Sequence, residues 1–442
     1  MGTERAADWA KTLRPRLPVS LRWHLDAVHT VPGEGVFFIG WMLDPEQALA
    51  AFDVVGDDGS VHSISERWVR CERADVLAAY PSESRTDVLV GFIAFVPVTR
   101  VGTKVAVRAT ARGGATELRD FSTVVPTSVL EWSKVVLSHV SMKHPDLARI
   151  IALHVGPALR ALAKRREAPP EVVVKTFGTP VASPEATLLI PLYGRFDFIR
   201  YQMALFADDP SLRNVEIVYV VDDPRIIAPS MDLALHSYEF FRVPITVVAS
   251  ERNLGFAGAN NLGARHARGT HLVLLNSDVM PGENGWLPKL LAPLADVSVG
   301  VVGARLLYED GTVQHAGMKL EAYEPWGGMP ILVHPGKGLP ASAPTGRVAE
   351  MDAVTGACMA MRRDEYTALG GLDETYILGD FEDSDLCVRF RRRGKTTVMV
   401  DDVTLFHLER QSQWLMPDLE WRHKISLVNC WQHAQVLKGG RS

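Results

Sequence analysis

A chain of 442 residues is too long for one ordinary hydrophobic core, so at least two domains are expected. Hydrophobic residues at 47% and charged residues at 22% are the composition of a folded globular protein rather than a disordered or fibrous one. The formal net charge of -5 offers no basic footprint, which excludes nucleic acid as the expected partner.

The chain begins with an extension over 1–19. From 20 to 126 it reads as short strands, among them GVFFIGWML, AAFDVVGDDGSVHSI, DVLVGFIAFVPV, KVAVRATARGG and ELRDFSTVV. Period-two alternation broken by Gly and Asp-Gly turns at this spacing predicts an antiparallel β-sandwich. Trp23, His24, Asp26, Trp41 and Asp44 in this region suit either a sugar-stacking face or, with greater weight, an aromatic core. SVLEWSKVVLSHV and PDLARIIALHVGPALRALAKRRE then carry apolar residues at helical spacing, so 127–184 is expected to be a helical connector and linker. Its last stretch, from about 168, is expected to be a boundary loop.

From 185 to 413 the texture is α/β. TLLIPLY, VEIVYVVDD, PITVVAS and THLVLLNSD are strands of the buried type, interleaved with helices, and two of them end in acids. That order predicts an open, mostly parallel sheet with its site beyond the carboxyl ends of the strands. The Gly- and Pro-rich region 306–352 is expected to be an active-site loop or acceptor subsite. An amphipathic C-terminal helix and tail close the chain over 414–442. Cys71, Cys358, Cys387 and Cys430 form no CxxC pair, arguing against a zinc site or disulfide scaffold and for reduced thiols in a cytoplasmic protein. No run approaches the roughly 20 apolar residues that span a bilayer, and the first residues lack a signal-peptide core. Contact with the inner face of the cytoplasmic membrane, for instance through Lys164, Arg165 and Arg166, is then at most peripheral.

Several residue clusters have the types that chemistry needs. Asp222 and Asp223 end a strand, where carboxylates can accept hydrogen bonds from a base or ribose, although an Asp-Asp-Pro turn reads the same way. In ERNLGFAGANN, Arg252, Asn253, Gly255 and Asn260 surround a glycine-started helix whose free N–H groups would suit a diphosphate. Asn276-Ser277-Asp278 finishes an apolar strand with hard oxygen donors suited to a divalent cation, and His407 is a further metal candidate, with imidazole favouring Mn2+ over Mg2+. Asp383 is the expected proton acceptor, its pKa raised by burial and by its acidic neighbours. Glu382 and Asp385 are expected to tune or position it.

Taken in order, TLLIPLY, VVDDP, ERNLGFAGANN, LLNSDV, DGTVQHAG, AVTGACMAMRRDEYTALGGLDE, FEDSDLCVRFRRRGK and the late His407 resemble the family 2 glycosyltransferases, especially the rhamnosyltransferase-like members of polysaccharide assembly. The resemblance covers about 185–413. It implies an inverting enzyme with the GT-A fold, an open mixed α/β sheet with flanking helices, here preceded by the β-sandwich-like domain. It also implies a nucleoside diphosphate sugar donor, a saccharide or lipid-linked glycan acceptor in surface polysaccharide biosynthesis, and a divalent cation, Mn2+ or Mg2+. By that likeness Pro191, Tyr193, Asp222, Asp223, Arg252, Asn253, Gly255, Asn260, Asn276 and Ser277 bind the donor, and Asp278 and His407 hold the metal. Asp383 is then the general base, and Gly356 and Ala357 floor the acceptor side, leaving space for a sugar ring. Asn276 stands where the family's DxD motif has its first acid, and Pro224-Arg225 replaces the usual Gly-Ser. Gln314 and His315 fall in a loop near donor or acceptor, with a hairpin as the comparable alternative. The alternative is a non-catalytic glycan-binding or scaffolding protein of a polysaccharide assembly complex.

Overall fold

The computed structural model describes residues 16–81, 88–98, 100–165, 169–324, 328–408 and 419–439. Most of the N-terminal extension, Arg166, and the junction at 409–418 lie outside them. The chain divides into two compact units, 1–165 and 166–442.

The first unit is two four-stranded antiparallel sheets enclosing one apolar core. Alternate residues of Arg22–Val31 and Lys104–Ala111 point inward, the period-two signature of strands with one wet face. Trp23 belongs to that core, 5.0 Å from the Phe52 ring, so the buried-aromatic expectation holds for it. His24 and Trp41 remain near the surface, and Asp44 accepts the amides of Ala48 and Leu49 in a turn. Ser128 caps the helix Val129–Ser138 through the amide of Glu131, and a wider π turn over Ile151–Val155 aims His154 at the sheet, where its Nδ1 accepts the Phe95 amide at 3.0 Å.

The second unit is built on an eleven-stranded mixed sheet. Ala186–Leu192 lies at its centre, parallel to both Val215–Val221 and His271–Leu275, and Ile245–Ser250 continues the parallel run. Val215–Val221 is buried at every position, which is why its sequence is an unbroken apolar run and not an alternation. The segment read as a boundary loop contains an edge strand, Val172–Phe177, antiparallel to Ile245–Ser250. Beyond His271–Leu275 the sheet turns antiparallel through Cys358–Arg362, then Val299–Leu307, which runs parallel to the long strand Thr396–His407. Sheet faces are covered by helices including Phe198–Asp208, Ile227–Phe241 and Gly255–His266.

Two elements depart from expectation. Region 306–352 is less a loop than a set of short strands: Val313–His315 pairs with Val299–Leu307, Lys319–Tyr323 and Met329–Val333 form a hairpin, and Val348–Glu350 adds to Thr396–His407. The helix Leu419–Leu437 is not amphipathic, because it buries Trp421, Ile425, Val428 and Val436 together with Lys424, Asn429, Gln432 and His433. Its polar residues were needed for bonds within the protein, so no polar stripe faces water.

The turn after His271–Leu275 is held from behind by one amide. Gln202, fully buried, donates from Nε2 to the carbonyls of Asn276 and Val279, both at 3.0 Å, and accepts the Tyr219 hydroxyl at 3.1 Å. Replacing it with leucine, Gln202→Leu, takes the Gln202 partner from the Val279 carbonyl and the Tyr219 hydroxyl and leaves the Asn276 carbonyl with only the Val279 amide among the described residues. A loss of roughly 2–4 kcal/mol in urea unfolding is expected, and a loss below about 1 kcal/mol would show that the network does not fix this turn.

Candidate functional site

A cavity of about 540 Å³ opens beyond the carboxyl ends of the parallel strands. It gathers Pro191, Tyr193, Asp222, Asn253, Gly255, Asn276, Ser277, Asp278, His407, Gly356, Ala357, Glu382 and Asp383 along one wall or another. Asp223, Arg252, Asn260 and Asp385 do not line it.

Physical causes account for three of these exclusions, those of Asp223, Asn260 and Asp385. Asp223 points into a turn, accepting the amides of Gly194 and Arg225 and gripping the Arg225 guanidinium at 2.7 Å, which holds its carboxyl below the usual range. Asp222, one residue earlier, faces the cavity instead. Asn260 is wholly buried and its Nδ2 donates to the Phe256 carbonyl one helical turn back. Asp385 pairs with Arg389 at 2.6 Å, and Arg389 in turn donates to the carbonyls of Leu369 and Gly371. It fastens a neighbouring loop.

The glycine-started helix also differs from expectation. Its leading amides are not free: Leu254 donates to Asp222 Oδ1 at 2.6 Å, Gly255 to Asn253 Oδ1 at 2.7 Å, and Phe256 to the Leu378 carbonyl at 3.2 Å. Gly255 has φ +71, and a Cβ there would make only ordinary contact with the Leu378 backbone, so its glycine serves the left-handed turn rather than a ligand. Gly356 likewise makes room for protein rather than sugar, since a Cβ there would lie 3.0 Å from the Phe256 ring and 3.3 Å from Asp383 Cβ.

Asp278 and His407 meet through strand register. Val279 pairs with His407, and the Leu408 amide donates to the Asp278 carbonyl, so the two side chains project together, with Nε2 3.3 Å from Oδ1. Gln314 Oε1 lies 2.6 Å from His407 Nδ1. In the neutral ring that contact takes the Nδ1 proton, and Nε2 then faces a carboxylate oxygen as an acceptor. Two acceptors so arranged fit a cation between them. Asn276 Oδ1, buried with no hydrogen-bond partner among the described residues, is a third oxygen of the same turn. Among the described residues no cluster of three or more His, Cys, Asp or Glu side chains has metal-binding geometry, so a cation here would need ligands from a bound molecule or water.

The opposite wall carries two carboxyls in contrasting settings. Glu382 is buried, Oε2 has no partner among the described residues, and burial together with Asp383 pushes its pKa well up. Asp383 is also raised by burial, but its oxygens accept the amides of Gly356 at 2.8 Å and Ser384 at 2.6 Å, which favour the ionised form. Glu382 therefore keeps the proton and Asp383 gives it up first. The helix they begin, Glu382–Arg392, has no side-chain cap; Phe381 occupies the capping position at φ +77, and Asp380 instead accepts the Ser426 hydroxyl at 2.6 Å.

Residues not singled out from sequence complete the lining: Arg195, Phe198, Phe256, His334, Lys337, Arg422 and Ser426. His315, expected near the site, is buried with Nε2 accepting the amides of Gly317 and Thr355 and Nδ1 3.0 Å from His334 Nδ1. Cys358 is buried with its thiol pushed far up, consistent with no nucleophilic role. All four cysteines are free. No helix among the described residues is long and apolar enough to cross a membrane.

Residues 187–363, within the α/β unit, match the family model for glycosyl transferase family 2. The chain is 27% identical over 235 residues to the O-antigen biosynthesis protein RfbC of Myxococcus xanthus, covering 52% of this chain and 18% of that one. It is 28% identical over 236 residues to protein y4gI of Sinorhizobium fredii, covering 53% and 25% respectively. The chain thus spans a quarter or less of the length of these curated relatives. Similar solved structures include GalNAc-T7 with UDP, GalNAc and Mn2+ (15% identity, 50% of this chain and 42% of that one, TM-score 0.41). The mannosyltransferase PcManGT of Pyrobaculum calidifontis in complex with GDP-Man and Mn2+ is another (16% identity, 71% and 88%, TM-score 0.38). TM-scores this low transfer nothing from those proteins to this chain.

Burial lifts the Asp222 carboxyl to about 8, against the opposing pull of the Leu254 and Gly255 amides. A carboxyl raised on folding stabilises the fold fully below its unfolded pKa of about 4, and that contribution is lost as pH rises through the folded value. Asp222→Asn keeps an acceptor for Leu254 and removes this loss. Its stability relative to wild type is expected to improve in denaturant titrations between about pH 4 and pH 8 and to level off above. A difference independent of pH would contradict the assignment.

Proposed function

We propose that this chain transfers a sugar from a nucleoside diphosphate sugar to a hydroxyl of a saccharide or lipid-linked glycan in surface polysaccharide biosynthesis, with inversion at the anomeric carbon. The observation that carries the proposal is the pairing, in one cavity, of a partly open, ionisable Asp383 with the Asp278–His407 acceptor pair. The family match and the printed role of the Myxococcus xanthus relative support the same class. The acceptor class goes with a cytoplasmic location at the inner face of the membrane.

In the proposed reaction Asp383 takes the proton of the acceptor hydroxyl as its oxygen attacks the anomeric carbon, and the bond to the diphosphate breaks with its electron pair leaving on the diphosphate oxygen. Glu382, protonated beside it, keeps a second negative charge away from the base. Asp278 and His407, with the Asn276 amide oxygen, would hold Mn2+ or Mg2+, which when bound neutralises charge on the diphosphate. Pro191, Tyr193, Asp222, Asn253 and Gly255 form the donor wall, and Asp222 in its neutral form offers the base or ribose a donor as well as an acceptor. Gly356 contributes to the acceptor side chiefly by orienting Asp383 through its amide.

A panel of UDP-, dTDP- and GDP-sugars, with and without Mn2+, tests the reading by thermal shift and donor consumption. Wild type is expected to turn over one donor class. Asp383→Asn should bind that donor within about twofold of wild type and transfer it at least about 100-fold more slowly. Undiminished transfer would remove Asp383 as base, whereas glycan binding with no donor consumed would favour the scaffolding alternative. Asp278→Asn should also abolish the stabilisation that Mn2+ alone gives the protein, and an unchanged Mn2+ shift would place the cation elsewhere.

A further inference from the structure

The C-terminal helix lies outside the matched stretch 187–363, yet its buried polar side chains converge on the turn that carries the base. Asn429, wholly buried, accepts the Ile377 amide at 3.1 Å on Oδ1, and its Nδ2 donates to the carbonyls of Ile377 at 3.0 Å and Gly379 at 2.6 Å. Gln432 donates to the Thr375 hydroxyl at 2.6 Å, and Ser426 to Asp380. The Ser384 hydroxyl donates to the Phe381 carbonyl, so at 3.2 Å it accepts from His433 Nε2, whose ring also lies 5.5 Å from that of Phe381. These four residues of one helix all reach a single segment, 375–384.

That segment needs holding. Leu378, Asp380 and Phe381 have φ of +65, +74 and +77, three of the five non-glycine residues with positive φ among those described. Such conformations persist only where surrounding bonds over-determine them. Asn429 bonds three backbone groups of Ile377 and Gly379, on either side of Leu378, and shares only the Ile377 carbonyl with the Gly379 amide. An apolar side chain at the same buried position would pack as well but hold none of these groups.

We infer that Asn429 is a positioning residue for Asp383, and that the C-terminal helix is part of the active centre. Its side-chain amide fixes the 377–381 turn, the turn fixes the start of Glu382–Arg392, and so the Asp383 carboxylate is aimed into the cavity. The inference rests on the proposed transfer reaction, and its test separates the two.

Full-length Asn429→Leu and Asn429→Asp are compared with wild type and with Val436→Ala, a buried apolar change on the same helix, in steady-state kinetics, melting temperature and hydrogen–deuterium exchange of peptides over 376–385. Asn429→Leu is expected to lower kcat by about 10- to 100-fold with the donor KM within about twofold, and to speed exchange over 376–385. Asn429→Asp keeps an acceptor for Ile377 but loses both donated bonds, and should shift both readouts in the same direction. Val436→Ala, despite a lower melting temperature, should keep kcat within about threefold. Equal kcat losses in Val436→Ala and Asn429→Leu, or unchanged exchange and kcat in both Asn429 variants, would overturn the inference. If wild type consumes no donor, the transfer reading fails on its own, and unchanged exchange in the Asn429 variants still refutes the clamp.

Discussion

The four-residue turn Leu378–Phe381 is the constraint on which the site depends. Three left-handed non-glycine residues cost on the order of 1–3 kcal/mol each, so the turn exists only because its surroundings oppose relaxation. On one side the Leu378 carbonyl accepts the Phe256 amide, next to Gly255 in its left-handed turn. On the other side Asn429 holds Ile377 and Gly379. The turn therefore ties the donor wall, the base-bearing helix and the C-terminal helix into one unit, and a shift in any of them reaches Asp383.

Charge is partitioned by backbone groups more than by ion pairs. Asp383 and Glu382 are adjacent, the first half-buried and the second buried, and two amides favour ionisation of the first while an orphaned oxygen leaves the second protonated. Asp222 and Asp223 are separated in the same way: Asp223 is neutralised by Arg225, and Asp222 is left at the cavity with its carboxyl lifted by burial. Across the cavity, strand register brings Asp278 and His407 together, and Gln314 fixes which nitrogen of the ring faces the carboxylate. Each acid pair yields one structural member and one available to a ligand.

Much of this was legible in the sequence. Unbroken Val- and Leu-rich runs marked the buried strands, and acids or amides at their ends marked the edge where the cavity opens. Sequence could not tell Asp222 from Asp223, because the choice rests on Arg225 claiming one carboxylate, whereas Asp383 was singled out from Asp385, which Arg389 claims. The free amides expected at Gly255 are consumed by Asp222, Asn253 and Leu378, and Leu378 is more than a hundred residues away. The C-terminal helix was expected, but its buried polar packing was missed for a related reason. Its buried polar residues satisfy distant backbone, so no periodic stripe separates core from surface. The hairpin in 306–352 was obscured because Lys319–Tyr323 is exposed along its length and lacks alternation.

The central claim is a direct displacement at the anomeric carbon, with Asp383 as base and no enzyme-bound sugar. The most direct measurement is the anomeric configuration of the first-formed product, followed by proton NMR from a donor of known configuration. The account predicts inversion from the earliest time points. A first-formed product that retains the donor's configuration would contradict it.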